Sequence, residues 1–218
     1  MFRAMLFTQW KWTRAVMLPL AIVAFAVPVY SVGQFSEASL SRSQVVPLLS
    51  SMQFWGLGYM FASVMVGLVV AAGAWSYDSK GKHVYALSLP VPRWHYLLLR
   101  YAAGILLLLI PAFFLWIGAL VATSSAEIPL GLRAYPTALA LRFLLASFLA
   151  YSLMFALSGL PKKIGISVAV GIGVLILIDA AIEQIVGTPL FLSTIFEWTV
   201  RWPGFLEVFA GRWMLIDV

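Results

Sequence analysis

Residues 75–100 read WSYDSKGKHVYALSLPVPRWHYLLLR, a polar and basic segment between two long apolar ones. No charged residue occurs from Ser43 to Tyr77 or from Tyr101 to Ala126. A segment with this many charges does not lie in hydrocarbon, because ionised side chains are costly there. The pattern therefore predicts two membrane-spanning helices joined by a hydrophilic connector over residues 75–96.

The composition indicates the class of the whole chain. Hydrophobic residues make up 63% and charged residues 10% of the 218 positions, whereas a soluble domain carries about 25% charged residues. Backbone groups inside a bilayer need internal hydrogen bonds, so the spans are expected to be helices. The predicted fold is an all-α polytopic membrane protein, with residues 1–218 as a single transmembrane domain.

Five spans follow from the requirement of about 20 apolar residues per crossing. They are predicted near Ala15–Val32, Phe54–Ala74, Leu97–Val121, Pro136–Leu160 and Ile164–Val186. Residues 187–218 do not form a clean sixth span, because Pro203 and several charged residues interrupt them. We expect short helices at the outer surface there. Met214–Ile216 resembles the start of a further span, and a sixth span is expected to be missing from the chain.

The distribution of charge predicts the orientation. Basic residues concentrate in three segments that alternate with near-neutral ones, and acidic residues outnumber arginines after Asp179. The three basic segments contain Arg3, Lys11 and Arg14, then Lys80, Lys82, Arg93 and Arg100, then Lys162 and Lys163. By the positive-inside rule the N-terminus and the 75–96 connector are cytoplasmic, as in a bacterial inner membrane. The formal charge of +6 is thereby explained without a nucleic-acid partner.

Residues 1–14 allow two interpretations. Apolar residues at helical spacing, together with Arg3, Lys11 and Arg14, predict an amphipathic helix on the inner leaflet. The alternative is a signal peptide in which Ala24-Phe25-Ala26 is the cleavage site. The first interpretation is favoured, because A-x-A is common by chance in alanine-rich helices.

No catalytic or metal site is predicted. The chain has no Cys and no phosphate-binding G-x-x-x-x-G-K-[ST] segment, and its two histidines, His83 and His95, lie in the connector without a carboxylate cluster. Three charges fall inside predicted spans, namely Arg142, Asp179 and Glu183. They predict either an ion or proton site or an ordinary arrangement, in which Arg142 pairs with an acid or all three charges reach water at the outer surface.

The segment Leu87-Ser88-Leu89-Pro90-Val91-Pro92-Arg93 precedes an aromatic stretch, a further basic residue (Arg100) and a long apolar helix. This order resembles the membrane subunits of ABC-2 type transporters, which carry an L-x-L-P-V-S-R-like segment before their third span. Asp78 stands where that family usually has an acidic residue at the end of the second span. Pro92 replaces the family's usual Ser.

The resemblance implies a permease that works by alternating access. The aromatic, weakly charged interior favours an amphipathic, lipid-like or drug-like substrate over a small ion. A separate ATPase subunit would bind ATP and Mg²⁺, so this chain needs no cofactor and is no enzyme itself. A second permease subunit, identical or related, would complete the assembly. The implied coupling surface is a connector helix over Tyr77–Leu87, with a bend at Pro90, Pro92 and Arg93. Its partner-facing residues are Tyr77, Asp78, Ser79, Lys80, Gly81, Lys82 and His83.

Three alternatives stay open at this point. A basic loop can contact anionic lipid instead of a partner protein. Asp179 and Glu183 can serve an ion- or proton-coupled secondary carrier. The chain can also be a membrane scaffold that transports nothing.

Overall fold

In the computed structural model, residues 2–36, 45–80, 92–125, 132–160, 162–186 and 214–216 are described, and nearly all of them are helical. The elements are α1 (Phe2–Ser36), α2 (Val45–Lys80), α3 (Arg93–Ser125), β1 (Leu132–Ala134), α4 (Pro136–Ser158), α5 (Lys162–Val186) and β2 (Met214–Ile216). The predicted helical class is thus confirmed, apart from one pair of short strands.

Four helical segments of the described chain are long and apolar enough to cross a membrane. They are Phe2–Val32, Gly58–Trp75, Trp94–Ser125 and Pro136–Ser158. These segments overlap the first four predicted spans, although the first begins at Phe2 instead of Ala15, and they fit an integral membrane protein. α5 coincides with the fifth, but its apolar part, Ile166–Asp179, is shorter. A fifth crossing therefore stays a prediction, and so does a sixth.

The N-terminal region differs from the prediction of a separate interfacial helix over residues 1–14. α1 runs without interruption for 35 residues from Phe2 to Ser36. Gln9 and Thr13 are buried, and Leu6 and Trp10 pack against the core of the bundle. Because these side chains have tertiary partners, the first turns of α1 belong to the packed bundle.

Contacts between named residues give the direction of each helix. Gln9 meets Arg100 and Phe25 meets Gly118, so α1 and α3 run the same way. On α2 and α4, Gly67 contacts Ser147, and the later residue Trp75 contacts the later residue Phe155. These two helices are therefore also parallel. Tyr101 meets Ser152 and Trp116 meets Thr137, which makes α3 and α4 antiparallel.

This alternation brings several chain segments to one end of the bundle. The start of α1, the end of α2, the start of α3 and the end of α4 all lie there. The three basic segments identified in the sequence adjoin these helix ends. The basic residues from which the orientation was predicted are therefore associated with one end of the bundle.

The core is built from both aromatic and small residues. Tyr59, Phe143 and Tyr151 are among the largest fully buried side chains. Gly67 lies against the α4 backbone, because a Cβ added to it would stand 2.7 Å from the Ser147 carbonyl oxygen. Gly67 and Ala71 are small residues four apart in the sequence, a spacing that predicts such a close approach, and Gly67 confirms it. Gly165, Ala169 and Gly173 have the same spacing in α5, but Gly173 has no atom within 4 Å of an added Cβ in the described structure.

The opposite end carries the two strands. β1 and β2 pair antiparallel, with Leu132 opposite Ile216 and Ala134 opposite Met214. The sequence predicts helix at Met214–Ile216, and the structure places a strand there instead. Pairing with β1 supplies the backbone hydrogen bonds that a helix would otherwise provide. The short outer helices predicted elsewhere in residues 187–218 lie outside the described residues.

Candidate functional site

Arg100, near the start of α3, is a cation buried in a largely apolar bundle. Its side chain is only 6% exposed. The guanidinium carbon lies 5.5 Å from the centre of the Trp75 ring and 5.3 Å from that of Tyr96. Its Nη1 also donates a hydrogen bond to the Tyr96 hydroxyl. Tyr96 precedes Arg100 by about one helical turn, which places both side chains on the same face of α3.

Aromatic rings are suitable neighbours for this charge. A guanidinium is always protonated in proteins, so burial cannot be relieved by loss of its proton. The negative faces of Trp and Tyr rings attract a cation, by about 2 kcal/mol or more where water is excluded. Arg stacks on such rings better than Lys, because its group is planar and more weakly hydrated.

Gln9 connects this site to α1. It is 3% exposed, and its Nε2 donates a 3.4 Å hydrogen bond to the backbone carbonyl of Arg100. Thr13, one turn later on the same face, is buried and contacts the backbone of Gly73 through its methyl group. The two polar residues therefore bring α1 against both α3 and α2.

Trp75 connects the site to α4. Its Nε1 donates a 3.1 Å hydrogen bond to the Phe155 carbonyl oxygen, and the two rings lie 5.2 Å apart. Gly159, at the end of α4, leaves room for the indole, because an added Cβ would stand 3.1 Å from it. We call Gln9, Trp75, Tyr96, Arg100 and Phe155 the Arg100 junction.

A second set of contacts extends the junction along α3 and α4. The hydroxyls of Tyr101 and Ser152 lie 2.6 Å apart, and the Tyr151 hydroxyl donates to the Tyr101 carbonyl at 3.2 Å. The two tyrosine rings stack with their centres 5.3 Å apart. The Tyr151 hydroxyl packs directly against Gly104, and any side chain at position 104 would collide with it.

The predicted coupling residues adjoin this junction in the chain. Tyr77, Asp78, Ser79 and Lys80 form the last turn of α2, continuous with Trp75. The predicted connector helix over Tyr77–Leu87 therefore does not begin as a separate element. The remaining coupling residues Gly81, Lys82 and His83, and the first bend residue, Pro90, lie outside the described residues.

The other predicted bend residues lie at the start of α3. The Pro92 carbonyl oxygen accepts a 3.3 Å hydrogen bond from the Tyr96 backbone N–H, and α3 begins at Arg93. Pro92 therefore directly precedes the helix, and a bend at this position stays a prediction, because residues 81–91 lie outside the described residues. α3 reaches the Arg100 junction within its first turns.

The three predicted intramembrane charges lie on α4 and α5. Arg142 is half-buried on α4, while Asp179 on α5 is buried, with 8% of its surface exposed. Glu183 follows Asp179 by about one turn of the same helix. Among the side chains of α5 that the structure describes, most of the large apolar ones are exposed, so the buried Asp179 is an exception.

Sequence reasoning missed Gln9 and Trp75 as members of a site. Gln9 and Thr13 did carry a signal, since they are polar residues one turn apart on a largely apolar helix. Trp75 carried none, because a tryptophan near a predicted membrane boundary is ordinary. Its role depends on α4, which is distant in the chain.

Comparison with protein-family models, with curated proteins and with solved structures finds no match to this chain. Among the described residues, no three His, Asp or Glu side chains lie together in a way that could hold a metal ion. The similarity of residues 87–93 to ABC-2 permeases therefore remains a prediction from sequence.

Proposed function

We propose that this chain is the membrane-spanning permease subunit of an ATP-driven transporter of the ABC-2 type. A separate ATPase subunit would contact the segment between α2 and α3, and a second permease subunit would complete the pathway. The ATPase would bind ATP and Mg²⁺. The N-terminus would be cytoplasmic, in the inner membrane of a bacterium.

The observation that carries this proposal is the Arg100 junction. α2 ends at Lys80 and α3 begins at Arg93. Close to these two ends, the helices contact each other through Trp75 and Arg100. The same two residues contact α4 and α1. A displacement of the connector would thus act on four helices at one place.

This arrangement suits alternating access. Packed interfaces have discrete arrangements and do not deform continuously, so a push at one end can switch the packing of a bundle. If the α2–α3 hairpin tilts, Gln9 and Phe155 move with it, because Gln9 bonds the Arg100 backbone and Phe155 contacts the Trp75 side chain. The weakly charged, aromatic interior suits an amphipathic or lipid-like substrate better than a small ion.

The proposal is tested by purifying the tagged full chain in mild detergent. We expect a protein with a phosphate-binding G-x-x-x-x-G-K-[ST] loop to co-purify in stoichiometric amount. The double substitution Lys80→Glu with Lys82→Glu should remove it, because two donors of the coupling surface change sign. Lys162→Glu with Lys163→Glu is the control, since it makes the same charge change at the same end of the bundle. Absence of such a protein, or equal loss in both variants, would contradict the proposal.

A second candidate function has one observation in its favour. Asp179 is buried on a helix whose other large side chains are mostly exposed, and buried carboxylates within membrane segments often serve ion or proton pathways. A secondary carrier that uses Asp179 and Glu183 would need no ATPase. The co-purification experiment separates it from the permease.

A further inference from the structure

A groove lies between the first turns of α1 and the middle of α3. It has a volume of about 380 Å³ and is lined by Arg3, Leu6, Phe7, Trp10, Leu106, Leu107 and Ile110. This volume falls within the range of about 300–1,000 Å³ that is typical of small-molecule sites. Arg3 is the only charged residue of this lining.

The chemistry of the lining restricts the occupant. Six of its seven side chains are hydrophobic, so the body of a ligand must be apolar. Arg3 is exposed and lies in the first turn of α1, where the helix dipole and free backbone N–H groups also favour an anion. Almost all of the lining surface is apolar, so the exposed Arg3 guanidinium lies at the rim of an apolar channel. This arrangement matches an amphiphile with an anionic head.

We propose that this groove binds one anionic phospholipid of the surrounding bilayer. The phosphate would accept hydrogen bonds from the Arg3 guanidinium, which presents paired donors to such a group. An acyl chain would lie against Trp10 and the leucines of α3. The site is independent of the proposed transport function, because it requires only that this end of the bundle meets a lipid leaflet.

Native mass spectrometry of the full chain in detergent tests the head-group contact. The chain is titrated with phosphatidylglycerol and, separately, with phosphatidylcholine, which has a phosphate but no net charge. We expect phosphatidylglycerol to bind more tightly, and Arg3→Gln to weaken it about tenfold, the loss of one hydrogen bond to a charged group. Lys11→Gln is the control, because Lys11 is an exposed cation of α1 outside the groove.

A second pair of variants tests the apolar channel. Leu106 and Leu109 are both exposed on α3, but only Leu106 lines the groove. We expect Leu106→Trp to fill the channel and reduce bound phosphatidylglycerol by one molecule per chain, while Leu109→Trp leaves it unchanged. Equal affinity for the two lipids, equal effects of Arg3→Gln and Lys11→Gln, or equal effects of the two tryptophans would overturn the proposal.

Discussion

The guanidinium of Arg100 lies over the Trp75 ring, at 5.5 Å from its centre, although residues 76–99 separate the two in the chain. Trp75 ends the apolar part of α2, and Arg100 lies where that of α3 begins. Their contact holds α2 and α3 together next to the segment that joins the two helices. The connector therefore leaves and re-enters the bundle at a point where the two helices are held together.

The first prediction concerns the identity of the cation at position 100. Arg100→Lys keeps the charge but replaces a planar, weakly hydrated group with a strongly hydrated ammonium. We expect a loss of about 2 kcal/mol in the free energy of unfolding, the size of a desolvated cation–π contact. The midpoint temperature of thermal unfolding changes by about 2–4 °C per kcal/mol for a chain of this length, so it should fall by roughly 4–8 °C.

Circular dichroism during heating in detergent measures this change. Arg14→Lys is the matched control, because Arg14 is an exposed arginine on α1. If the two substitutions shift the midpoint equally, the aromatic contacts of Arg100 do not stabilise the fold.

A second prediction concerns the contact between α2 and α4. Gly67→Ala places a methyl group 2.7–2.8 Å from the Ser147 carbonyl oxygen and the Tyr151 backbone nitrogen. Backbone atoms cannot move aside as a flexible side chain can, so the helices must separate. We expect a destabilisation of about 1–3 kcal/mol, as for other overpacked cores.

Gly171→Ala is the control for this substitution, since nothing lies within 4 Å of the added carbon. Alanine is favoured over glycine in a helix interior by roughly 0.5–1 kcal/mol, so this variant should be neutral or slightly more stable. Thermal unfolding in the same detergent compares the stability of both variants with that of the parent protein. A Gly67→Ala protein as stable as the parent would show that α2 and α4 are further apart.

The sequence predicted well where the four long apolar helices lie, except for the start of α1, and local signals explain why. Pro136 is suited to the first turn of a helix, and the residues predicted as a span from Pro136 to Leu160 form a helix that ends at Ser158. Long apolar runs indicated the other long helices in the same way. The pairing of β1 with β2 could not be predicted, because it joins segments far apart in the chain.

The candidate site was less predictable, for physical reasons. Arg100 was recognised as part of a family-like pattern, but its neighbours Gln9 and Trp75 lie on two other helices, and Trp75 is in turn bonded to Phe155 on a third. No periodicity within α3 indicates those neighbours. The separate N-terminal helix was expected because residues 1–14 look amphipathic, and the burial of Gln9 and Thr13 in the bundle was not visible locally.

A third prediction separates the permease from the carrier. Asp179→Asn keeps nearly the same side-chain shape but has no carboxylate. The proposed permease does not use that carboxylate, so we expect ATP hydrolysis by the purified assembly to be unchanged. A proton-coupled carrier would instead lose pH-driven uptake in vesicles containing this chain alone. Glu183→Gln, one turn further along α5, is measured in parallel. Loss of vesicle uptake in the Asp179 variant would favour the carrier.

Site-specific cross-linking tests the central claim, that a separate ATPase contacts the connector. A photoreactive amino acid is placed at His83, within the connector, and, as control, at Ser124, an exposed position at the opposite end of α3. We expect illumination of intact cells to link position 83, but not position 124, to an ATP-binding protein with a G-x-x-x-x-G-K-[ST] loop. Cross-links from position 83 to lipid alone, or to the same proteins as position 124, would contradict the claim.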